Sequence, residues 1–139
     1  TMKKSTKSIM TLALVITILS ISAMPAFAAS SFSTSTQENG TLSGGTYLGA
    51  PGKPNLSFSE TLLASPTSSS YIKASHQVVN YSTGATVATP SSGSGFNKSY
   101  VSSYVFLDAG KYTSYGTHDF YNGSETISKY TNLVGFTVY

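Results

Sequence analysis

Residues 107–130 read LDAGKYTSYGTHDFYNGSETISKY, and this stretch sets the fold class. Asp108-Ala109-Gly110 is a turn, residues 111–121 form a long extended run, and Asn122-Gly123 reverses the chain into residues 125–130. Asn-Gly is the strongest short-range hairpin signal, because both residues tolerate the positive φ of a type I′ turn. The stretch predicts two antiparallel strands around such a turn. Beyond it, residues 133–139 align Val134, Phe136 and Val138 on a last strand. Before it, residues 99–107 carry Val101, Val105 and Leu107 on one face and Tyr100, Tyr104 and Phe106 on the other. Apolar side chains on both faces predict a central strand.

The same period of two continues toward the N-terminus. Residues 71–80 put Ile72, Ala74, His76 and Val78 on one face and Tyr71, Lys73, Ser75 and Gln77 on the other. Ser82-Thr83-Gly84 turns the chain into a short strand over residues 85–89, followed by a Ser/Gly loop over residues 90–95. Residues 55–63 alternate Leu56, Phe58, Glu60 and Leu62 against Ser57, Ser59 and Thr61, the pattern of a half-buried strand. Residues 29–45 hold only Phe32 and Leu42 as sizeable apolar side chains and read as a flexible Ser/Thr-rich segment, with an edge strand near residues 32–36 as the alternative. Residues 46–139 are expected to form a single all-β domain, an antiparallel β-sandwich or small barrel of about seven or eight strands. Leu107-Asp108-Ala109-Gly110-Lys111-Tyr112 resembles the turn-then-tyrosine corner of extracellular β-sandwich domains. The resemblance implies that the Tyr112 hydroxyl bonds back to nearby backbone.

Residues 1–28 read as a cleaved, helical secretory signal peptide. Lys3, Lys4 and Lys7 precede a mostly apolar run over residues 9–23, and Ala26-Phe27-Ala28 supplies the small residues of a cleavage site. The run is interrupted by Thr11, Thr17, Ser20 and Ser22 and falls short of the roughly 20 apolar residues of a spanning helix. The expectation is a secreted, extracellular protein whose lysine-rich signal is of bacterial kind, with no membrane span after cleavage.

Cleavage changes the charge balance. Lys53, Lys73, Lys98, Lys111 and Lys129 remain against Glu38, Glu60, Asp108, Asp119 and Glu125, so 5 − 5 leaves zero. With no arginine and no basic cluster, nucleic acid is excluded as a partner. The absence of cysteine excludes a disulfide framework. What remains is a neutral β domain rich in Ser, Thr and Tyr.

The candidates for chemistry are few. Asp119 adjoins His118, but strand neighbours point to opposite faces, and nothing brings His76 to them, so no metal site is expected. No G-x-S-x-G string is present, and Gly93-Ser94-Gly95 lies in a low-complexity loop. No cofactor and no enzymatic activity are expected. Asn39, Asn55, Asn80, Asn97 and Asn122 begin N-x-S/T strings, which are glycan acceptors in a eukaryotic secretory pathway and carry no meaning in a bacterial chain. The binding candidates are Tyr100, Tyr104, Tyr112, Tyr115, Tyr121 and Tyr130, since an exposed tyrosine offers a flat face to a sugar ring and a hydroxyl for hydrogen bonds.

The leading expectation is a non-enzymatic binding module for cell-surface or extracellular-matrix polymer, such as cell-wall or matrix polysaccharide, or a domain that assembles with copies of itself. The alternative is a secreted antibacterial, membrane-active protein. Gly44-Gly45-Thr46-Tyr47-Leu48-Gly49, Ser70-Tyr71 and His76-Gln77-Val78-Val79 resemble the Gly-Gly-aromatic opening and Ser-Tyr…His string of lactococcin-type β-sandwich bacteriocins. This chain departs from them in its length, in Tyr47 where a tryptophan is usual, and in lacking basic character. A third class, an enzyme or an enzyme inhibitor acting through residues 90–97, has no specific support.

Overall fold

A computed structural model describes residues 29–139. The expected signal peptide lies outside the described residues. Nine strands are present among the described residues: β1 (Ala29–Ser35), β2 (Thr41–Ala50), β3 (Lys53–Leu63), β4 (Tyr71–Asn80), β5 (Thr86–Ala88), β6 (Gly93–Phe96), β7 (Tyr100–Phe106), β8 (Gly110–Tyr121) and β9 (Thr126–Val138). They form two antiparallel sheets packed face to face in a sandwich-like arrangement. The first has the order β1-β2-β3-β7. The second has the order β5-β4-β8-β9, with β6 pairing β4 as well. No helix among the described residues is long and apolar enough to cross a membrane.

Several expectations are corrected. Residues 29–45 are not a flexible segment: they form β1 and the first half of β2. The physical reason is the two apolar side chains noted above. Leu42 is fully buried in the core, and Phe32 packs against the same cluster. Residues 93–95, expected as loop, belong with Phe96 to β6, which pairs with Tyr71–Ala74 of β4. Residues 126–138 are one strand, because a bulge opposite Thr113 absorbs the break in pattern. There the register shifts between Tyr112 and Ser114, Gly135 takes a φ of 66°, and its amide donates to Thr113 Oγ1 at 3.2 Å.

The Asn122-Gly123 hairpin exists, but not as a type I′ turn. Gly123 has a φ of 93° while Asn122 stays at negative φ. Instead Asn122 Oδ1 accepts from the amides of Ser124 at 3.0 Å and Glu125 at 2.7 Å, closing a longer loop. The tyrosine corner forms as the resemblance implies: Tyr112 Oη donates to the Asp108 carbonyl at 2.8 Å.

The core is apolar at both ends and polar in the middle. One end holds Leu42, Leu63, Ile72, Ala74, Val101 and Phe120. The other holds Leu48, Val78, Leu107, Tyr112, Phe136 and Val138. Between them lie Thr46, Ser57, Ser59, Thr61, His76, His118 and Thr131, all buried. This belt sets the register of β3. An alternating strand normally turns its apolar set inward. Here Ser57, Ser59 and Thr61 face the opposite sheet, and Leu56, Phe58, Glu60 and Leu62 are driven to the outer face.

Candidate functional site

The belt is a single chain of hydrogen bonds whose direction is set at one end. Thr61 Oγ1 donates to the Lys73 carbonyl at 2.9 Å. A hydroxyl has one proton, so Thr61 accepts from His118 Nδ1 at 3.1 Å. The His118 ring also bonds the Glu60 backbone. His118 Nε2 then accepts from Thr131 Oγ1 at 2.7 Å, and Thr131 from Thr46 Oγ1 at 2.7 Å. Thr46 accepts from Ser59 Oγ at 3.0 Å, Ser59 from His76 Nδ1 at 2.9 Å, and His76 Nε2 from Ser57 Oγ at 2.8 Å. Both histidines are thereby neutral Nδ1–H tautomers. Burial agrees, lowering each to about 4.

Gly116 belongs to the belt by its size. A Cβ there would collide with Thr46 Oγ1 and Ser59 Oγ. The polar side chains of the belt are buried. The Gly44–Gly49 and His76–Val79 strings that resemble bacteriocins lie in β2 and β4, and Thr46 and His76 are members of this belt.

The surface is where side chains converge. On the outer face of the first sheet, β2, β3 and β7 place Tyr47 opposite Phe58 and Phe58 opposite Tyr104 in register. The next rows pair Leu56 with Phe106, Glu60 with Ser102, and Leu62 with Tyr100. Tyr47 stacks on Phe58 with centroids 5.2 Å apart and planes at 29°, and Tyr104 meets Phe106 edge-on at 6.3 Å and 82°. Tyr104 and Phe106 are 59% and 52% exposed. Together with Ala50, Lys53, Leu56, Phe58, Tyr100 and Ser102 they line a groove of about 270 Å³.

β7 is an edge strand, which corrects the expectation of a central one. Its second apolar face covers no sheet. It is displayed at the surface, which is why both faces of residues 99–107 are apolar.

Glu60 lies at the edge of this groove, 1% exposed, with Oε1 lacking a hydrogen-bond partner. The Tyr100 hydroxyl bonds the carboxyl group. Burial lifts Glu60 to about 7, against the Tyr100 bond, which favours the carboxylate. Burial and the nearby carboxylate push Tyr100 up to about 12 and raise Tyr47 as well.

The six candidate tyrosines do not form one site. Tyr100 and Tyr104 share the groove. Tyr112 is buried at the corner. Tyr115, Tyr121 and Tyr130 lie on the outer face of the second sheet, where Tyr115 and Tyr130 flank a second groove of about 250 Å³. Tyr71, Phe96 and Tyr121 form a row at the far end of that sheet, with Tyr71 and Phe96 centroids 5.2 Å apart. Tyr47, Phe58, Glu60 and Phe106 were missed as site residues. The signal for Phe106 was already present in the two-faced pattern of residues 99–107.

His118 and Asp119 point to opposite faces, Asp119 accepting from Ser128 Oγ at 2.6 Å. Among the described residues, no group of three or more His, Cys, Asp and Glu side chains is placed to hold a metal ion.

The asparagines of the N-x-S/T strings serve turns and loops. The side chains of Asn39, Asn55, Asn80 and Asn122 bond backbone groups, and Asn97 adopts a φ of 54°. No model of a known protein family matches the chain, and no curated protein is similar to it in sequence.

Proposed function

We propose that this chain is a secreted, non-enzymatic β domain that binds a cell-surface or extracellular-matrix polymer through the outer face of its first sheet. The observation that carries this reading is the groove in which Tyr100, Tyr104 and Phe106 are exposed beside a buried Phe58. A contiguous exposed aromatic patch on a hydroxyl-rich surface marks a binding face, whereas scattered aromatics do not. Ring faces stack on the apolar faces of sugars, and tyrosine hydroxyls and Ser102 supply hydrogen bonds. The near-neutral charge of residues 29–139 suits an uncharged polymer.

Edge-to-edge self-assembly is the weaker half of the reading. β9 carries a bulge at Gly135 and a lysine, Lys129, in register with the inward-facing His118, both of which block strand addition. β1 has neither device.

The test is a pull-down. The chain from Ala29 is mixed with washed cell envelopes and with insoluble cellulose and chitin, then centrifuged. Saturable pelleting that is lost in the double variant Tyr104→Ala, Phe106→Ala supports the reading. Protein left in the supernatant in every case overturns it, and brings killing and vesicle-leakage assays forward for the bacteriocin-like alternative.

A further inference from the structure

Glu60 is a buried titratable group to which surface stacking alone assigns no role. An acid on the outer face of a sheet ordinarily extends into water. Here it is held down by its neighbours. From β2, Tyr47 folds back over Gly45, the cross-strand partner of Glu60, and a Cβ at Gly45 would lie 2.5 Å from Tyr47 Oη. From β7, Tyr100 bonds the carboxyl, and Ser102 sits opposite in register. On β3 itself the same-face neighbours are Phe58 and Leu62, and Lys53 is seven residues away, roughly 23 Å along the strand. From the second sheet, His118 reaches only the Glu60 backbone. The titratable groups around the carboxyl are therefore two phenols and no cation, among the described residues. Its free Oε1 has nothing to neutralise it.

Tyr100 joins this carboxyl to the groove. Its ring lines the groove, its hydroxyl reaches Glu60, and at 39% exposure it stands between the buried acid and the water of the groove. A polymer laid on Tyr100 and Ser102 displaces that water. The charged form of Glu60 then loses solvation and the neutral form does not.

We propose that Glu60 makes the groove a proton-linked site, which holds an uncharged polymer more tightly as the pH falls. This rests on the groove being the polymer site. The direction follows from linkage. Covering the groove raises the proton affinity of Glu60 above its free-state midpoint of about 7, so binding takes up a proton. Affinity is greatest below that midpoint and declines as the pH rises through it. If binding raises the proton affinity of Glu60 about tenfold, the protonated protein holds the polymer about tenfold more tightly than the charged one.

Retention on cellulose, chitin and washed envelopes is measured at about pH 5.5 and about pH 8.5, on either side of the midpoint. Glu60→Gln and Tyr100→Phe are run beside the parent. Glu60→Gln keeps the shape and removes the titration. Urea unfolding of each variant verifies that it is folded. The expected result is about tenfold tighter retention of the parent at the lower pH, equal retention of Glu60→Gln at both, and a midpoint moved upward in Tyr100→Phe. A flat parent profile, tighter binding in base, or a slope surviving in Glu60→Gln overturns the proton linkage while leaving polymer binding intact. No retention at either pH overturns both.

Discussion

Thr61 has the greatest consequence of any single residue in the core. Its one bond to the Lys73 carbonyl orients every proton in the belt, from His118 to Ser57. ¹⁵N NMR at neutral pH is expected to show both histidines as Nδ1–H tautomers. Thr61→Val removes the acceptor on His118 Nδ1 and is expected to cost about 1–3 kcal/mol in urea unfolding, with loss of the single tautomer at His118. An unchanged NMR signature in Thr61→Val would show that the Glu60 backbone alone orients the ring. His76 and His118 stand out in the sequence as the only two histidines, and strand alternation correctly separates His118 from Asp119. That alternation says nothing about which hydroxyls of other strands meet the rings, because those partners come from β2, β3 and β9.

At the scale of elements, β3 and β7 are the informative strands. The period of two identifies both. It does not state which face is inward, and in β3 the serine and threonine face turns in because buried histidines need hydrogen-bond partners more than the core needs Phe58. The β8–β9 hairpin shows the same limit. Asn122-Gly123 correctly marks the reversal, yet the loop is held by the Asn122 side chain. Its Oδ1 serves the Ser124 and Glu125 amides, and its Nδ2 donates to Asn39 Oδ1 at 3.0 Å. Asn122→Gly is therefore expected to destabilise the domain by about 1–3 kcal/mol in urea unfolding. In a type I′ turn the same change would be nearly neutral, since glycine suits positive φ.

At the scale of the whole molecule, three buried ionisable groups shape stability against pH. The histidines are lowered from 6.5 to about 4, so between those values the unfolded chain binds more protons and stability falls as the pH drops. Glu60 is raised from 4.5 to about 7, so between those values the folded chain binds the extra proton and stability falls as the pH rises. Two opposing titrations against one leave a net gain with pH up to about 6.5 and a loss from there to about 7. Urea midpoints across this range are expected to peak near pH 6.5. Glu60→Gln should remove the descending side and keep the acid side. A peak at the same place in Glu60→Gln would exclude Glu60 as its cause.

The all-β class, most strand positions and the tyrosine corner are legible in residue order because they rest on neighbours within a few positions. Alternation, turn residues and the Leu107–Tyr112 string act locally. The polar centre of the core, the outward turn of Phe58 and Glu60, the place of β7 at an edge, and the separation of six tyrosines among three locations are properties of how the sheets pair and stack. Those contacts join residues dozens of positions apart. Their outcome turns on satisfying two buried histidines, a requirement that no local pattern encodes.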